Sequence, residues 1–137
     1  MVSFAGTTLI LSLLDAGQLW VGNVGDSRAV FGNSSGQAVA MSFDHKPCQL
    51  KEKKRIQEAG GFVAMNGVWR VMGVLATSRA LGDYPLKVLT MTYIYLLLHH
   101  LFQDKKVVIS DPDILSFSLQ DHKMEFAGRE FFYKYEV

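Results

Sequence analysis

The sequence has 137 residues, of which 49% are hydrophobic and 20% are charged, with 14 basic and 13 acidic side chains. This length and composition can form one domain, or part of one, with a buried core, which excludes a wholly disordered chain. A net charge of +1 excludes the strongly basic character of nucleic-acid-binding domains, and the single cysteine, Cys48, excludes an internal disulfide or a cysteine-based zinc cluster. One cysteine also favours a reducing compartment, so we expect a cytoplasmic location.

Residues 4–43 predict an antiparallel β-meander, because short apolar runs alternate there with Gly, Asn and Ser. The first run, residues 7–14, has the length of a signal-peptide core. No Lys or Arg precedes it and no clear cleavage site follows, although a signal peptide needs both. We therefore predict a buried strand that ends in a turn at residues 15–17.

Residues 47–59 predict a helix. Pro47 is acceptable in a first turn, good helix formers follow, and Gly60-Gly61 is a typical helix end. The apolar face of this helix is thin and consists of Leu50, Ile56 and Ala59. We therefore expect the helix to lie on the surface of a sheet, with the charged run at residues 51–55 facing solvent.

Residues 62–81 again consist of short apolar segments. Residues 107–109 predict a short strand, and residues 114–119 alternate like a half-buried strand.

An apolar stretch, residues 88–102, lies between residue 81 and the strand predicted at residues 107–109. It is too short for an unaided membrane span, which takes about 20 residues, so a buried or interfacial helix is favoured and membrane contact is the alternative. The pair His99-His100 within it does not predict a metal site, because adjacent residues on a helix point about 100° apart.

Two aspartates, Asp26 and Asp83, each follow a glycine at the end of a predicted strand. Carboxylates held at a sheet rim are typical oxygen ligands for Mg²⁺. The alternative is that each carboxylate hydrogen-bonds its own turn. The sequence has no phosphate-binding Walker loop, no G-x-S-x-G and no H-E-x-x-H.

Six phrases occur in a characteristic order. They are Ala5-Gly6-Thr7-Thr8, Val24-Gly25-Asp26-Ser27-Arg28, Asp44-His45-Lys46-Pro47, Arg55-Ile56-Gln57-Glu58-Ala59-Gly60-Gly61, Leu75-Ala76-Thr77-Ser78-Arg79-Ala80-Leu81-Gly82-Asp83 and Asp111-Pro112-Asp113-Ile114. In order and spacing they closely resemble the central part of the metal-dependent protein phosphatase 2C (PPM) family, nearest its protein phosphatase 1-like branch. The resemblance covers residues 3–87 and 107–119.

The resemblance implies an α+β fold, a partial antiparallel β-sandwich with flanking helices. It implies a partial phosphatase domain over residues 1–121, with a flap at residues 44–72 beside the active site, an atypical insert at residues 88–106 and an atypical tail at residues 122–137. It also implies a reaction: Mg²⁺ or Mn²⁺ ions activate a water that attacks phosphoserine or phosphothreonine in a phosphoprotein substrate.

Few site residues carry over. The resemblance makes Asp26 a ligand of an additional, weaker metal and makes Arg28 half of a structural ion pair. His45 and Lys46 lie at the start of the flap, where they either approach a substrate phosphate or are structural. Arg79 and Asp83 match a scaffold segment, and we expect them to pair with one another.

The departures from the family pattern concern the main metal ligands. The family uses an Asp-Gly-His-Gly-Gly segment and an Asp-Gly-x-x-Asp segment, whereas this sequence contains no Asp-Gly dipeptide and lacks the upstream phosphate-binding arginine. We therefore assign no catalytic residue and expect this chain to be a truncated form that is weakly active or inactive. The pattern suggests an alternative transcript or a faulty gene model, with unrelated peptide at residues 88–106 and 122–137. Three outcomes remain: an active phosphatase, a non-catalytic fragment that binds a partner or substrate, and a product that folds poorly.

Overall fold

The structure is a computed structural model that describes residues 5–32, 36–87 and 106–118. The predicted tail, nearly all of the predicted insert and the apolar stretch at residues 88–102 lie outside these ranges. The described elements, in chain order, are β1 (Gly6–Thr7), β2 (Leu9–Asp15), β3 (Gln18–Val24), β4 (Val30–Gly32), β5 (Ala38–Ala40), α1 (Leu50–Glu58), β6 (Val63–Asn66), β7 (Val68–Val71), β8 (Leu81–Gly82) and β9 (Asp113–Ser118).

The largest sheet has the strand order β2-β3-β9, and both pairings are antiparallel. β2 and β3 form a tight hairpin through Ala16 and Gly17, whose φ angles are 44° and 80°. Two consecutive positive φ angles are typical of the type I′ turn, which matches the twist of a hairpin. The turn predicted at residues 15–17 is therefore confirmed.

The two faces of this sheet differ in burial. On one face, Leu19 and Val21 of β3 pack with Met41 into a small core, and Phe117 of β9 packs against that core. The other face exposes large apolar side chains, namely Leu9, Leu11, Leu13, Trp20 and Ile114. The prediction of a buried first strand is therefore wrong. β2 pairs only with β3 and, within the described part of the chain, has no layer packed on this face.

Helix α1 begins at Leu50, three residues after Pro47, and ends before Ala59 and Gly60. Its inner face carries Ile56, which joins a second core with Ala59, Val71, Ala80, Leu86, Val107 and Val108. Leu50 is exposed and does not belong to the inner face. The prediction that the charged run faces solvent is also wrong in part, because Glu52 is fully buried.

The segment after α1 forms the antiparallel hairpin β6–β7, with a positive φ at Gly67 between the strands. β4 pairs with β5 and β1 pairs with β8, each as a separate two-stranded sheet. The strand predicted at residues 107–109 is reduced to one parallel bridge between Ile109 and Arg79. The strand predicted near residue 114 is confirmed as β9. Within the described ranges, no helix combines the length and apolarity needed to cross a membrane.

Candidate functional site

The first candidate residue, Asp26, lies in a tight turn directly after β3. The preceding Gly25 has a φ of +104°, and an added Cβ there would collide with the Thr8 side chain, so only glycine fits. The Asp26 carboxylate accepts a hydrogen bond from Nζ of Lys46 at 2.6 Å, and both side chains are partly exposed. Two of the residues nominated from the sequence thus meet in one ion pair.

The third candidate, His45, is buried beside this pair. The Gly25 backbone N–H donates to Nδ1 of His45 at 3.0 Å, and the His45 backbone N–H donates to the Gly25 carbonyl oxygen at 2.9 Å. The other ring nitrogen, Nε2, lies 3.3 Å from Oδ2 of Asp113. His45 is therefore held inside the protein, with both ring nitrogens facing protein groups.

Behind His45 lies a buried ion-pair network centred on Arg79. The guanidinium group donates to both carboxylate oxygens of Glu52, at 2.7 Å to Oε1 and 3.2 Å to Oε2. A third hydrogen bond, 2.9 Å long, joins Nη1 of Arg79 to Oδ1 of Asp113. Ser78 and Arg55 also donate to Oε2 of Glu52, at 2.7 and 3.0 Å. Because the charges are paired and hydrogen-bonded, their burial is tolerated.

These contacts shift the pKa values of the acidic groups. Burial by itself raises the pKa of Glu52, but hydrogen bonds from Arg79 and Ser78 outweigh it and hold the pKa at about 2. Burial also raises the pKa of the Asp113 carboxyl, but the nearby Arg79 charge outweighs this effect, so that pKa is lowered overall. Burial lowers the pKa of His45, and the nearby Arg79 charge lowers it further. The network at neutral pH therefore contains ionised carboxylates and a neutral imidazole.

The structure corrects the pairing predicted between Arg79 and Asp83. Arg79 points to Glu52 and Asp113, whereas Asp83 lies against Gly6 of β1, where burial raises its pKa. A Cβ on Gly6 would collide with the Asp83 carboxylate, so the close approach of β1 and β8 sets the position of Asp83. The ion pair predicted for Arg28 is confirmed, and its partner is Asp44, whose carboxylate accepts two hydrogen bonds of 2.9 Å from the guanidinium group.

Glu52 belongs to the network but was not among the residues nominated from the sequence. Residues 52, 56 and 59 follow the i, i+4, i+7 spacing of one helix face, so Glu52 shares the face that buries Ile56 and Ala59. A carboxylate on such a face requires a buried cationic partner. The periodicity signal was present, but the neighbouring lysines made the whole run look solvated.

The described residues do not fit a two-metal site. Within residues 5–32, 36–87 and 106–118, no three His, Cys, Asp or Glu side chains converge as a metal-binding group. Several of the acidic side chains instead contact protein cations: Asp26 contacts Lys46 and Asp44 contacts Arg28. Glu52 and Asp113 both contact Arg79. Mg²⁺ wants six oxygen ligands around one point, which this arrangement does not provide.

The fold and motif series define the class of protein. A model of the Protein phosphatase 2C family matches residues 2–127, so the chain belongs to that family. Its antiparallel sheets with few helices are the α+β fold of this family.

Among individual relatives, the chain is 52% identical to Protein phosphatase 1L of Bos taurus over 122 residues, which are 89% of this chain and 29% of the relative. It is 55% identical to Probable protein phosphatase 2C 59 of Arabidopsis thaliana over 83 residues, 61% of this chain and 26% of that protein. A solved structure of a phosphatase from Toxoplasma gondii is 39% identical, with a TM-score of 0.58 over 76% of this chain and 29% of that one. The chain thus spans less than a third of the length of these relatives.

Proposed function

We propose that this chain is a catalytically incomplete form of a Mg²⁺- or Mn²⁺-dependent protein serine/threonine phosphatase, and that it releases little or no phosphate by itself. The family membership supports phosphorylated proteins as the substrate class. We also propose that the chain acts in the cytoplasm and does not act on nucleic acid.

One observation carries the proposal of inactivity. The acidic side chains nearest the predicted site, Asp26, Asp44 and Asp113, contact different protein cations instead of converging. A two-metal phosphatase needs several carboxylates around a shared point, because they offset the charge of two divalent ions and fix their separation. No Asp-Gly dipeptide of the family's main ligand segments occurs anywhere in the sequence. We therefore derive no catalytic step through a metal for this chain.

The test is a phosphate-release assay on a phosphothreonine peptide with Mn²⁺. The purified chain is compared with its Asp26→Ala variant, and bovine Protein phosphatase 1L is the positive control. We expect the chain and the variant to release the same background amount of phosphate. Release by the chain that stops with a chelator and falls in Asp26→Ala would show that the proposal of inactivity is wrong.

A second candidate function is binding of a phosphoprotein or another protein partner without catalysis. The hairpin β6–β7 and the residue before it expose large apolar side chains: Phe62 by 51%, Met65 by 59%, Val68 by 51% and Trp69 by 39%. The register places Met65 directly opposite Trp69, so these two exposed apolar side chains share one face of the hairpin, as is typical of interaction surfaces. This hairpin is part of the predicted flap, which supports substrate or partner contact at this place.

Trp69 allows this candidate to be measured directly. In a Trp20→Phe background, Trp69 is the remaining tryptophan, and its fluorescence reports binding at the hairpin. We expect a phosphothreonine peptide to change this signal and its unphosphorylated form to change it less. Met65→Ser, which alters the exposed side chain directly opposite Trp69, should weaken the response, whereas Leu50→Ser, which alters an exposed leucine outside the hairpin, should leave it unchanged. Equal responses in both variants would argue against the hairpin as the binding surface.

A further inference from the structure

His45 contacts the turn at Gly25 through two separate groups. Its Nδ1 accepts the Gly25 N–H at 3.0 Å, and its backbone N–H donates to the Gly25 carbonyl oxygen at 2.9 Å. One residue thus binds both polar backbone groups of Gly25. Because two contacts fix orientation as well as distance, His45 acts on this turn as a clamp.

The turn held by this clamp is constrained by its own geometry. Gly25 has a φ of +104°, which side chains other than hydrogen rarely allow, and the Thr8 side chain fills the space beside it. Asp26 follows directly in the chain. Its partner Lys46 directly follows His45, and the two side chains meet at 2.6 Å. The backbone pairing of residues 25 and 45 therefore sets the side-chain pairing of residues 26 and 46.

His45 is in turn held from behind. Its carbonyl oxygen accepts hydrogen bonds from the Ser78 backbone N–H at 2.9 Å and from the Thr77 hydroxyl group at 3.0 Å. The Ser78 hydroxyl oxygen also lies 3.0 Å away, but its one proton is donated to Glu52. Its Nε2 faces Asp113, whose carboxylate is fixed by Arg79 at 2.9 Å. Glu52 on helix α1 is thus connected to the Gly25-Asp26 turn by hydrogen bonds through Ser78 and the His45 backbone.

The hydrogen bond at Nδ1 determines which imidazole tautomer is present. A nitrogen that accepts a hydrogen bond carries no proton, so the proton of the neutral ring is on Nε2, toward Asp113. If Nδ1 were protonated, its N–H would point at the Gly25 backbone N–H, and the hydrogen bond between them would be lost. The clamp therefore requires the neutral ring in the Nε2–H form.

We propose that His45 is a positioning residue, which in its Nε2–H tautomer fixes the Gly25-Asp26 turn and thereby the place of the Asp26 carboxylate, and which does not itself contact a substrate. The inference deepens the proposed function and rests on it, since the resemblance to the phosphatase family is what gives Asp26 and Lys46 a functional meaning. The sequence left open whether His45 approaches a substrate phosphate or is structural, and this proposal favours the structural role.

Two conservative variants separate the two contacts of the ring. His45→Asn places an amide oxygen near the position of Nδ1, so it retains an acceptor for the Gly25 N–H and loses the contact with Asp113. His45→Gln extends an amide nitrogen toward Asp113 and loses the acceptor for Gly25. A residue that only fills space would give similar results in both variants. A positioning residue is rescued by asparagine and not by glutamine.

The measurement is heteronuclear NMR of the isotope-labelled chain without metal or phosphopeptide. We expect imidazole ¹⁵N signals of the Nε2–H tautomer at pH 7 and slow hydrogen exchange of the Gly25 amide. In His45→Gln, exchange of that amide should become about tenfold faster, the loss expected for one buried hydrogen bond, and the ¹³C carboxylate signal of Asp26 should shift. In His45→Asn, both should remain close to those of the parent.

Equal Gly25 exchange in the parent and in a folded His45→Gln variant would overturn the proposal. If both variants unfold, the tautomer of His45 in the parent chain tests the proposal. A ring with a proton on Nδ1, or on both nitrogens, at pH 7 would overturn the proposal. Failure of the proposed function is recognised separately. Metal-dependent phosphate release would contradict the claim of inactivity, while these signals, measured without phosphopeptide, would be unchanged.

Discussion

The guanidinium group of Arg79 and the carboxylate of Glu52 form a two-point ion pair inside the protein, with side chains that are 5% and 1% exposed. Helix α1 supplies the carboxylate, and the segment before β8 supplies the guanidinium. The pair therefore joins helix α1 to the segment before β8. Removal of either partner leaves a buried charge without compensation, which is usually more costly than the pair itself is favourable.

We expect Arg79→Met to lower the free energy of unfolding by about 3–5 kcal/mol. The matched control is Arg28→Met, which removes a pair between Arg28 and Asp44 in which the arginine is 53% exposed. Because solvent screens exposed pairs, the control should cost at most about 1 kcal/mol. Urea denaturation followed by circular dichroism measures both values. Equal losses in the two variants would show that the network is not a principal source of stability.

Acid should destabilise the protein through Glu52. Its pKa is about 2 in the folded chain and 4.5 without the fold, so the folded state favours the ionised form. The stabilisation is fully present above pH 4.5 and is lost as the pH falls toward about 2. This difference in pKa is equivalent to about 3 kcal/mol. Urea denaturation at pH 7, 5 and 3 should show the decline, and Glu52→Gln should flatten the part below pH 5. If the free energy of unfolding of Glu52→Gln declined by the same amount below pH 5, the loss of stability would come from other groups.

The hairpin turn between β2 and β3 offers a stabilising substitution. Ala16 adopts a φ of 44°, a left-handed conformation that costs an ordinary side chain about 1–2 kcal/mol and that asparagine tolerates better. We expect Ala16→Asn to raise the free energy of unfolding by about 1 kcal/mol. Ala16→Val, which is branched at Cβ, should lower it. Thermal melts of the three chains provide the comparison, and a lower melting temperature for Ala16→Asn would contradict the type I′ assignment.

The exposed face of the β2-β3-β9 sheet should promote self-association. Leu11 and Leu13 are 64% and 61% exposed, and Leu13 lies directly opposite Trp20 on β3. The double variant Leu11→Thr/Leu13→Thr keeps the strand propensity and reduces the apolar surface, so it should shift the chain toward monomer in analytical ultracentrifugation. Its melting temperature should change little. Leu19→Ala, on the buried face, should instead cost about 2–5 kcal/mol. Unchanged association in the double variant would show that another surface is responsible.

Local signals in the sequence were sufficient for several turns and elements of the secondary structure. The sequence Asp15-Ala16-Gly17 predicted the β2–β3 turn, Gly60-Gly61 predicted the end of α1, and the alternation after residue 113 predicted β9. Burial was predicted less well, because it depends on what packs against an element. β2 has the composition of a core strand and is exposed, whereas Glu52 has the composition of a surface residue and is buried.

The sequence nominated the candidate residues, and the structure shows which groups they contact. The family phrases nominated Asp26, His45 and Lys46, and the fold brings all three together. Asp113 was named in a family phrase without a role, and Arg79 was paired with Asp83 instead of Glu52. These partners are 27 to 34 residues apart in the chain, so only the tertiary fold determines which charges meet. The spacing of the motifs along the chain does not predict which charged residues contact each other.

The most direct test of the central claim is a count of bound Mn²⁺ by electron paramagnetic resonance. The chain is titrated at neutral pH, with bovine Protein phosphatase 1L measured in parallel. If the carboxylates are held by protein cations and do not converge, the spectrum of added Mn²⁺ should remain that of the free ion up to millimolar concentration. Two tightly bound ions per chain with the signal of a coupled pair would contradict the account.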